Sequence, residues 1–119
     1  MIKKILLVED EPIVIKIMEN LLQKAGFEVK CCENGKDAKA LFVAHDFDIV
    51  LTDLLMPQAC GLELLSYIRN VKKSDTPVVI FSEINTEDKA KEAMLIGANF
   101  YVRKPFDMNH LVEKLKSFI

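Results

Sequence analysis

Five residues of this chain have the types and spacing to do chemistry together: Glu9, Asp10, Asp53, Ser82 and Lys104. Three carboxylates brought together repel one another and raise each other's pKa unless a cation joins them. A small set of oxygen ligands suits Mg²⁺, which keeps several waters and shares phosphate oxygens. A metal held at Asp10 and Asp53 would neutralise an incoming phosphate and position it. Phosphoryl transfer asks mostly for positioning and charge neutralisation around an in-line nucleophile, and Asp53 could be that nucleophile. Lys104 would supply a point charge to one phosphoryl oxygen and Ser82 a hydroxyl to another. Taken singly, Glu9 and Asp10 read as helix-start acids, Asp53 as a turn residue, Ser82 as a strand-end hydroxyl and Lys104 as a solvated lysine. The weight lies in their coincidence.

That coincidence depends on the elements that carry them. Asp48-Ile49-Val50-Leu51-Thr52-Asp53 is an apolar run of strand length (49–52) with an acid at its far end. Ile5-Leu6-Leu7-Val8 and Val78-Val79-Ile80-Phe81 are likewise unbroken apolar runs, the mark of strands buried on both faces. Residues 27–32 and Phe100-Tyr101-Val102 complete a set of five strands. Between them lie helical patterns. The first opens at Glu11-Pro12 with Asp10 as its expected cap and carries Val14, Ile17, Met18, Leu21, Leu22 and Ala25 until Gly26. Asn34-Gly35 precedes a second, with Ala38, Leu41, Phe42 and Ala44 on one side. Gly61 precedes a third containing Leu62, Leu64, Leu65 and Ile68. Asn85-Thr86-Glu87-Asp88 starts a fourth, with Ala90, Ala93 and Met94 expected inside and Gly97 as the stop. Asp107 caps a fifth, with Leu111, Val112, Leu115 and Phe118 as its stripe. Strand–helix alternation with non-alternating strands implies a three-layer, doubly wound α/β domain around a five-stranded parallel sheet, spanning residues 1–119. In such sheets ligands bind at the carboxyl ends of the strands. Glu9-Asp10, Asp53, Ser82 and Lys104 end four different strands there.

Composition narrows the classes. Half of the 119 residues are apolar, 29% are charged and the net charge is −2, so no global basic field favours nucleic acid. No apolar run approaches the roughly 20 residues that span a bilayer. Glu9 and Asp10 cut the run after Met1-Ile2-Lys3-Lys4 too short for a signal peptide. A cytoplasmic protein is expected. Cys31, Cys32 and Cys60 have neither an even count nor paired metal spacing, and strand geometry would point Cys31 and Cys32 to opposite faces.

The chain resembles the receiver domain of bacterial two-component response regulators, over essentially its whole length. The resemblance rests on Leu7-Val8-Glu9-Asp10-Glu11-Pro12, Asp53-Leu54-Leu55-Met56-Pro57 with Gly61, Pro77-Val78-Val79-Ile80-Phe81-Ser82, Gly97-Ala98 and Lys104-Pro105-Phe106, in this order and spacing. It implies a flavodoxin-like sheet of order 2-1-3-4-5, the order of the chemotaxis member of this family. It implies that Asp53 accepts a phosphoryl group from the phosphohistidine of a sensor histidine kinase or phosphotransfer protein. Mg²⁺ would be held by Asp10, Asp53 and the backbone carbonyl of Leu55, with Glu9 acting mainly through a metal-bound water. Lys104 would pair with the phosphoryl group, Ser82 would swing toward it, and Tyr101 would turn inward behind Ser82. The Lys104-Pro105 bond would be cis. A downstream protein or output domain would read a face spanning 86–118, with Ile84, Tyr101 and apolar residues at 94–96 as contacts. A phosphorylation-dependent dimer is left open, as is whether the receiver is free-standing or part of a longer regulator.

Two positions depart from the family's pattern. Cys60 stands where an Asp usually precedes Gly61. Glu83 follows Ser82 where a small residue is usual, and is expected to slow phosphoryl exchange at Asp53. Two other classes compete. One is a phosphatase or phosphotransferase with an aspartate nucleophile, but such enzymes need a general acid two residues after it, and here that position is Leu55. The other is a binding module that no longer uses phosphorylation, against which the intact Asp10, Asp53, Ser82 and Lys104 count. A regulatory domain, with at most self-phosphorylation and self-dephosphorylation, is the expectation.

Overall fold

In the computed structural model, which describes residues 2–55, 60–83 and 87–119, five strands alternate with five helices among those residues. They are β1 (Lys4–Val8), α1 (Pro12–Lys24), β2 (Glu28–Cys32), α2 (Gly35–Ala44), β3 (Ile49–Asp53), α3 (Gly61–Ser66), β4 (Val78–Ser82), α4 (Glu87–Ile96), β5 (Phe100–Arg103) and α5 (Met108–Lys116). All pairings are parallel and the order is β2-β1-β3-β4-β5, as the alternation and the resemblance imply.

The unbroken apolar runs divide between two cores by strand alternation. Ile5, Leu7, Ile49, Leu51, Val79 and Phe81 face α1 and α5, where Met18, Leu22, Leu111 and Leu115 meet them. Leu6, Val8, Val50, Val78 and Ile80 face the opposite way, toward Ala38, Leu64, Leu65, Ile68 and Ala93. Cys31 and Cys32 fall on the two sides as the strand period requires. Burial pushes both thiols up to about 12. No helix among the described residues is long and apolar enough to cross a membrane.

Several local expectations are corrected. The N-cap of α1 is Glu11 and makes no side-chain cap bond. Asp10 does not cap the helix, because its carboxylate gathers with Glu9 and Asp53 instead. Met94 is half exposed: α4 buries only Ala93, and a residue one step on points away. Ile17 is also more exposed than buried, while Met18 and Leu22 do the packing. By contrast Asp107 accepts from Asn109 N–H at 2.9 Å as the cap of α5, and Asn34 accepts from Asp37 N–H at 2.7 Å at the start of α2. The Asn85-Thr86 helix start, Met56-Pro57 and Ile84 lie outside the described residues.

After Ser66 the third helix widens into a π-helical turn over Tyr67–Val71. The Arg69 side chain at this turn is a hub. Its Nε donates to Gly97 O at 3.0 Å, Nη1 to Ser74 O (2.9 Å) and Thr76 O (2.7 Å), and Nη2 to Asn99 Oδ1 (2.9 Å). Asn99 Oδ1 also accepts from Val78 N–H at 2.9 Å. One guanidinium fork therefore joins the segments entering β4 and β5 at the end of the sheet opposite Asp53.

Candidate functional site

Register brings the candidates together. Val8 pairs with Thr52, Asp53 with Phe81 and Ser82 with Arg103. The chain stays in step beyond the strands through Leu54 N–H to Phe81 O (3.0 Å) and Lys104 N–H to Ser82 O (2.8 Å). Asp53 thus stands at the end of the central strand, flanked by the ends of β1 and β4. Thr52 Oγ1 donates to Asp53 O at 3.0 Å, and Gly61 N–H donates to Leu54 O at 2.8 Å. A Cβ on Gly61 would lie 2.5 Å from Asp53 O, so only glycine lets α3 begin this close to the acid's backbone.

The side chains form a compact charge cluster. Lys104 Nζ lies 3.3 Å from Glu9 Oε2 and 3.3 Å from Asp53 Oδ2. Asp53 Oδ1 accepts from Leu55 N–H at 3.2 Å, and Glu9 Oε1 from Glu11 N–H at 3.3 Å. Glu9 is fully buried, Asp53 is 7% exposed and Ser82 is buried at the end of β4. Asp10 is exposed at the rim, yet one carboxylate oxygen from each of Glu9, Asp10 and Asp53 lies within 4.8 Å of the others. Burial lifts the Glu9 carboxyl to about 7, helped by the hydrogen bond and charge of Asp53 and opposed by Lys104. Burial alone would lower the Lys104 ammonium, but Asp53 and Glu9 outweigh it and hold the pKa up. The lysine is steered by aromatics to which the sequence assigns no role. Its Nζ sits 4.9 Å from the Phe81 ring centroid, and Phe106 packs edge-on against Phe81 at 6.1 Å. The Lys104-Pro105 bond is cis.

Asp10, Asp53, Ser82 and Lys104, with Glu11, Leu55 and Glu83, line a cleft of about 190 Å³, and the fully buried Glu9 lies behind it. An all-oxygen acidic triad at its floor fits a hard divalent cation, since one ammonium cannot balance three carboxylates. Of the remaining candidates, Leu55 lines the cleft with its side chain turned out to solvent, and Glu83 is exposed at the rim. Tyr101 is half-buried on β5 opposite Ile80, packed on the α3–α4 side. Cys60 is half-buried just before α3 and is not among the cleft residues. Glu11 and the two phenylalanines are the members that sequence reasoning left without a site role. The motif Lys104-Pro105-Phe106 was the available signal for Phe106.

The fold and the strand-end cluster define a receiver, and comparison with known proteins places it. The chain belongs to the response regulator receiver domain family, whose model matches residues 5–116. It is a receiver domain of two-component signalling. Over 116 residues it is 34% identical to the transcriptional regulatory protein CrdR of Helicobacter pylori. That match covers 98% of this chain and 54% of CrdR, so the chain spans about half the length of that curated relative. Among solved structures it is similar to the response regulator TrrA of Thermotoga maritima in complex with Mg²⁺-BeF, at 32% identity and a TM-score of 0.89, covering 99% of this chain and all of the other. The chemotaxis response regulator CheY4 of Vibrio cholerae superimposes at a TM-score of 0.91 with 27% identity and full coverage of both chains.

Proposed function

We propose that Asp53 is the phosphoryl acceptor of this receiver and that a phosphohistidine, on a sensor histidine kinase or a phosphotransfer protein, is the donor. A carboxylate oxygen of Asp53 forms the new P–O bond as the P–N bond to the imidazole breaks, and the imidazole leaves with a proton from solvent. The observation that carries this reading is the position of Asp53. It is nearly buried at the end of the central strand, with one oxygen held by Lys104 and the other by the Leu55 N–H, at the floor of a cleft large enough for a phosphoryl group.

Asp10, Asp53 and the backbone carbonyl of Leu55 would hold Mg²⁺, with Glu9 acting through a bound water. When bound, the cation neutralises phosphoryl oxygens that the nearby carboxylates would otherwise repel. The Mg²⁺-BeF complex of the Thermotoga relative supports this assignment. Lys104 would exchange its bond to Asp53 for one to a phosphoryl oxygen, and Ser82 would donate to another. Leu55 offers no acid two residues after Asp53, which favours a persistent acyl phosphate and a regulatory role. The domain would then carry out at most its own phosphorylation and dephosphorylation.

The switch rests on charge. Phosphorylation adds about −1.5 to −2 charge and three acceptor oxygens. Charge-assisted bonds contribute ~1.5–3 kcal/mol each, so the new Ser82 bond, with a Lys104 contact that strengthens as it passes from Asp53 to the phosphoryl group, supplies a substantial part of the ~5.5 kcal/mol that turns a two-state protein from mostly off to mostly on. The face read downstream is 86–118, where Tyr101 turns inward behind Ser82 and Leu95, 88% exposed, is the most accessible apolar contact. The reader is an output domain, a separate protein or a second phosphorylated copy, in the cytoplasm.

The test is backbone NMR with Mg²⁺ and beryllofluoride. Wild type should shift amides around positions 53, 82 and 104 and on toward 101, and Asp53→Asn should shift none of them. Equal shifts in Asp53→Asn would overturn the assignment.

A further inference from the structure

Glu83 occupies a place in the structure that its type alone does not explain. It is exposed just beyond Ser82 and lines two hollows at once. One is the phosphoryl cleft. The other is an adjoining groove of about 470 Å³ between α1 and the segment after β5, whose apolar lining includes Val14, Ile17, Met18, Phe106 and Met108. Glu11 and Lys104 are shared by the two hollows as well. A phosphoryl group brought to Asp53 from the side of the groove therefore comes near both Glu11 and Glu83.

Among the described residues, the cleft is lined by four carboxylates, those of Asp10, Glu11, Asp53 and Glu83, and by the single ammonium of Lys104, which also holds Glu9 behind them. A divalent cation would leave that balance still negative by one charge. A free phosphodonor is itself an anion and, beyond the cation, Lys104 and Ser82 that receive its phosphoryl group, meets this field with no further contact to offset it. A protein donor differs in two respects. It can bury apolar surface in the groove, and it can carry a basic side chain beside its phosphohistidine to face the two glutamates.

We propose that Glu83 makes the cleft select its phosphodonor by charge, disfavouring small anionic donors in proportion to their charge. This deepens the phosphoryl-acceptor reading of Asp53 and rests on it. At an exposed rim, one like charge about 6 Å away in water changes a rate by roughly threefold. A doubly charged donor should therefore suffer roughly tenfold and a singly charged one roughly threefold. Both penalties should shrink as salt shortens the Debye length to about 3 Å near 1 M.

The experiment measures the second-order rate of Asp53 phosphorylation in wild type, Glu83→Gln and Glu83→Ala with Mg²⁺. The two donors are acetyl phosphate, a dianion near neutral pH, and phosphoramidate, which carries one net negative charge. Low and high salt are compared. Glu83→Gln keeps the size and removes the charge. The proposal expects it to gain roughly tenfold with acetyl phosphate and roughly threefold with phosphoramidate at low salt, with both gains falling toward ~1.5-fold at ~1 M salt. No gain in Glu83→Gln overturns the proposal, as does a gain confined to Glu83→Ala, which would make the effect steric. Equal gains with both donors, or gains indifferent to salt, overturn it too. Phosphorylation at a residue other than Asp53 in every protein overturns the acceptor reading itself and the proposal with it.

Discussion

Replacing Lys104 with Met removes the one ammonium that joins Glu9 to Asp53, and the structure sets the size and pH dependence of the loss. Each Nζ–O contact is 3.3 Å long, which is about 5 kcal/mol of gross attraction at an effective dielectric constant of 20. Desolvation of the three ions returns several kcal/mol per ion. Removing one partner of a buried pair costs ~3–5 kcal/mol net, and protonation of Glu9 holds the cost to the lower end. The expected loss in metal-free buffer at pH 8 is therefore about 3 kcal/mol. At pH 5 Glu9 is already protonated, since burial and Asp53 lift its pKa to about 7. Only the Asp53 contact is then lost, and the cost falls toward the low end of the ~1.5–3 kcal/mol of one charge-assisted bond. The direction follows from linkage. Folded Glu9 keeps its proton up to about 7 while the unfolded side chain releases it near 4.5, so wild-type stability falls as pH rises through that window. In Lys104→Met the opposing ammonium is gone, Glu9 titrates higher still, and the fall extends above pH 7. Urea unfolding followed by circular dichroism, with chelator, at closely spaced pH values between 5 and 8 reads all of this. Equal losses at pH 5 and pH 8 would mean that Glu9 does not share the lysine, and the charge cluster described above would be wrong.

Other outcomes follow from the same structure. Gly61→Ala places a methyl 2.5 Å from Asp53 O and 3.1 Å from Leu54 Cα. Overpacking of ~1–3 kcal/mol outweighs the helix gain of up to ~1 kcal/mol, so urea unfolding should show a net loss and calorimetry a weaker Mg²⁺ affinity. Mg²⁺ added to wild type should raise the melting temperature and flatten the fall in stability between pH 4.5 and 7, and Asp10→Asn should remove most of that response in a thermal-shift titration. Arg69→Ala strands the carbonyls of Gly97, Ser74 and Thr76 and should cost about 3 kcal/mol in urea. Arg69→Lys should recover less than half of it, since an ammonium cannot reproduce the fork. Cys31 and Cys32, held near 12 by burial, should resist iodoacetamide at about pH 8.5 until the protein is unfolded, because the thiolate is the reactive form; peptide mass spectrometry would record it. Because the folded thiols keep protons that the unfolded chain releases near 9, stability should also fall as pH climbs beyond 9.

The sheet was legible because both of its faces are covered. Burial on two sides forces runs such as Ile5-Leu6-Leu7-Val8 to be apolar throughout, and that pattern survives without any knowledge of neighbours. The strand-end residues were legible for a related reason: a polar side chain directly after such a run has one place to go. Asp53, Glu9 and Lys104 do meet, at hydrogen-bond distance. What a sequence could not carry was competition between neighbours. Asp10 has the right type and position to cap α1, but the same carboxylate lies beside Glu9 and Asp53. Met94 fits a helical stripe, yet α4 needs only the small Ala93 against the sheet. The Arg69 hub had no local signal, since its partners at Gly97 and Asn99 are 28 and 30 residues away. The path of Lys104 past Phe81 and Phe106 is likewise a product of tertiary packing.

Everything proposed for the switch depends on one carboxylate, Asp53, carrying the phosphoryl group. Chemical trapping after prolonged incubation with Mg²⁺ and excess phosphoramidate reads this out at the residue itself. Borohydride reduces an aspartyl phosphate to homoserine, and peptide mass spectrometry then locates the altered residue. The expected result is homoserine at position 53 and nowhere else, with none in Asp53→Asn. Homoserine at Asp10, or at another acid while position 53 remains aspartate, would show that the phosphoryl acceptor lies elsewhere.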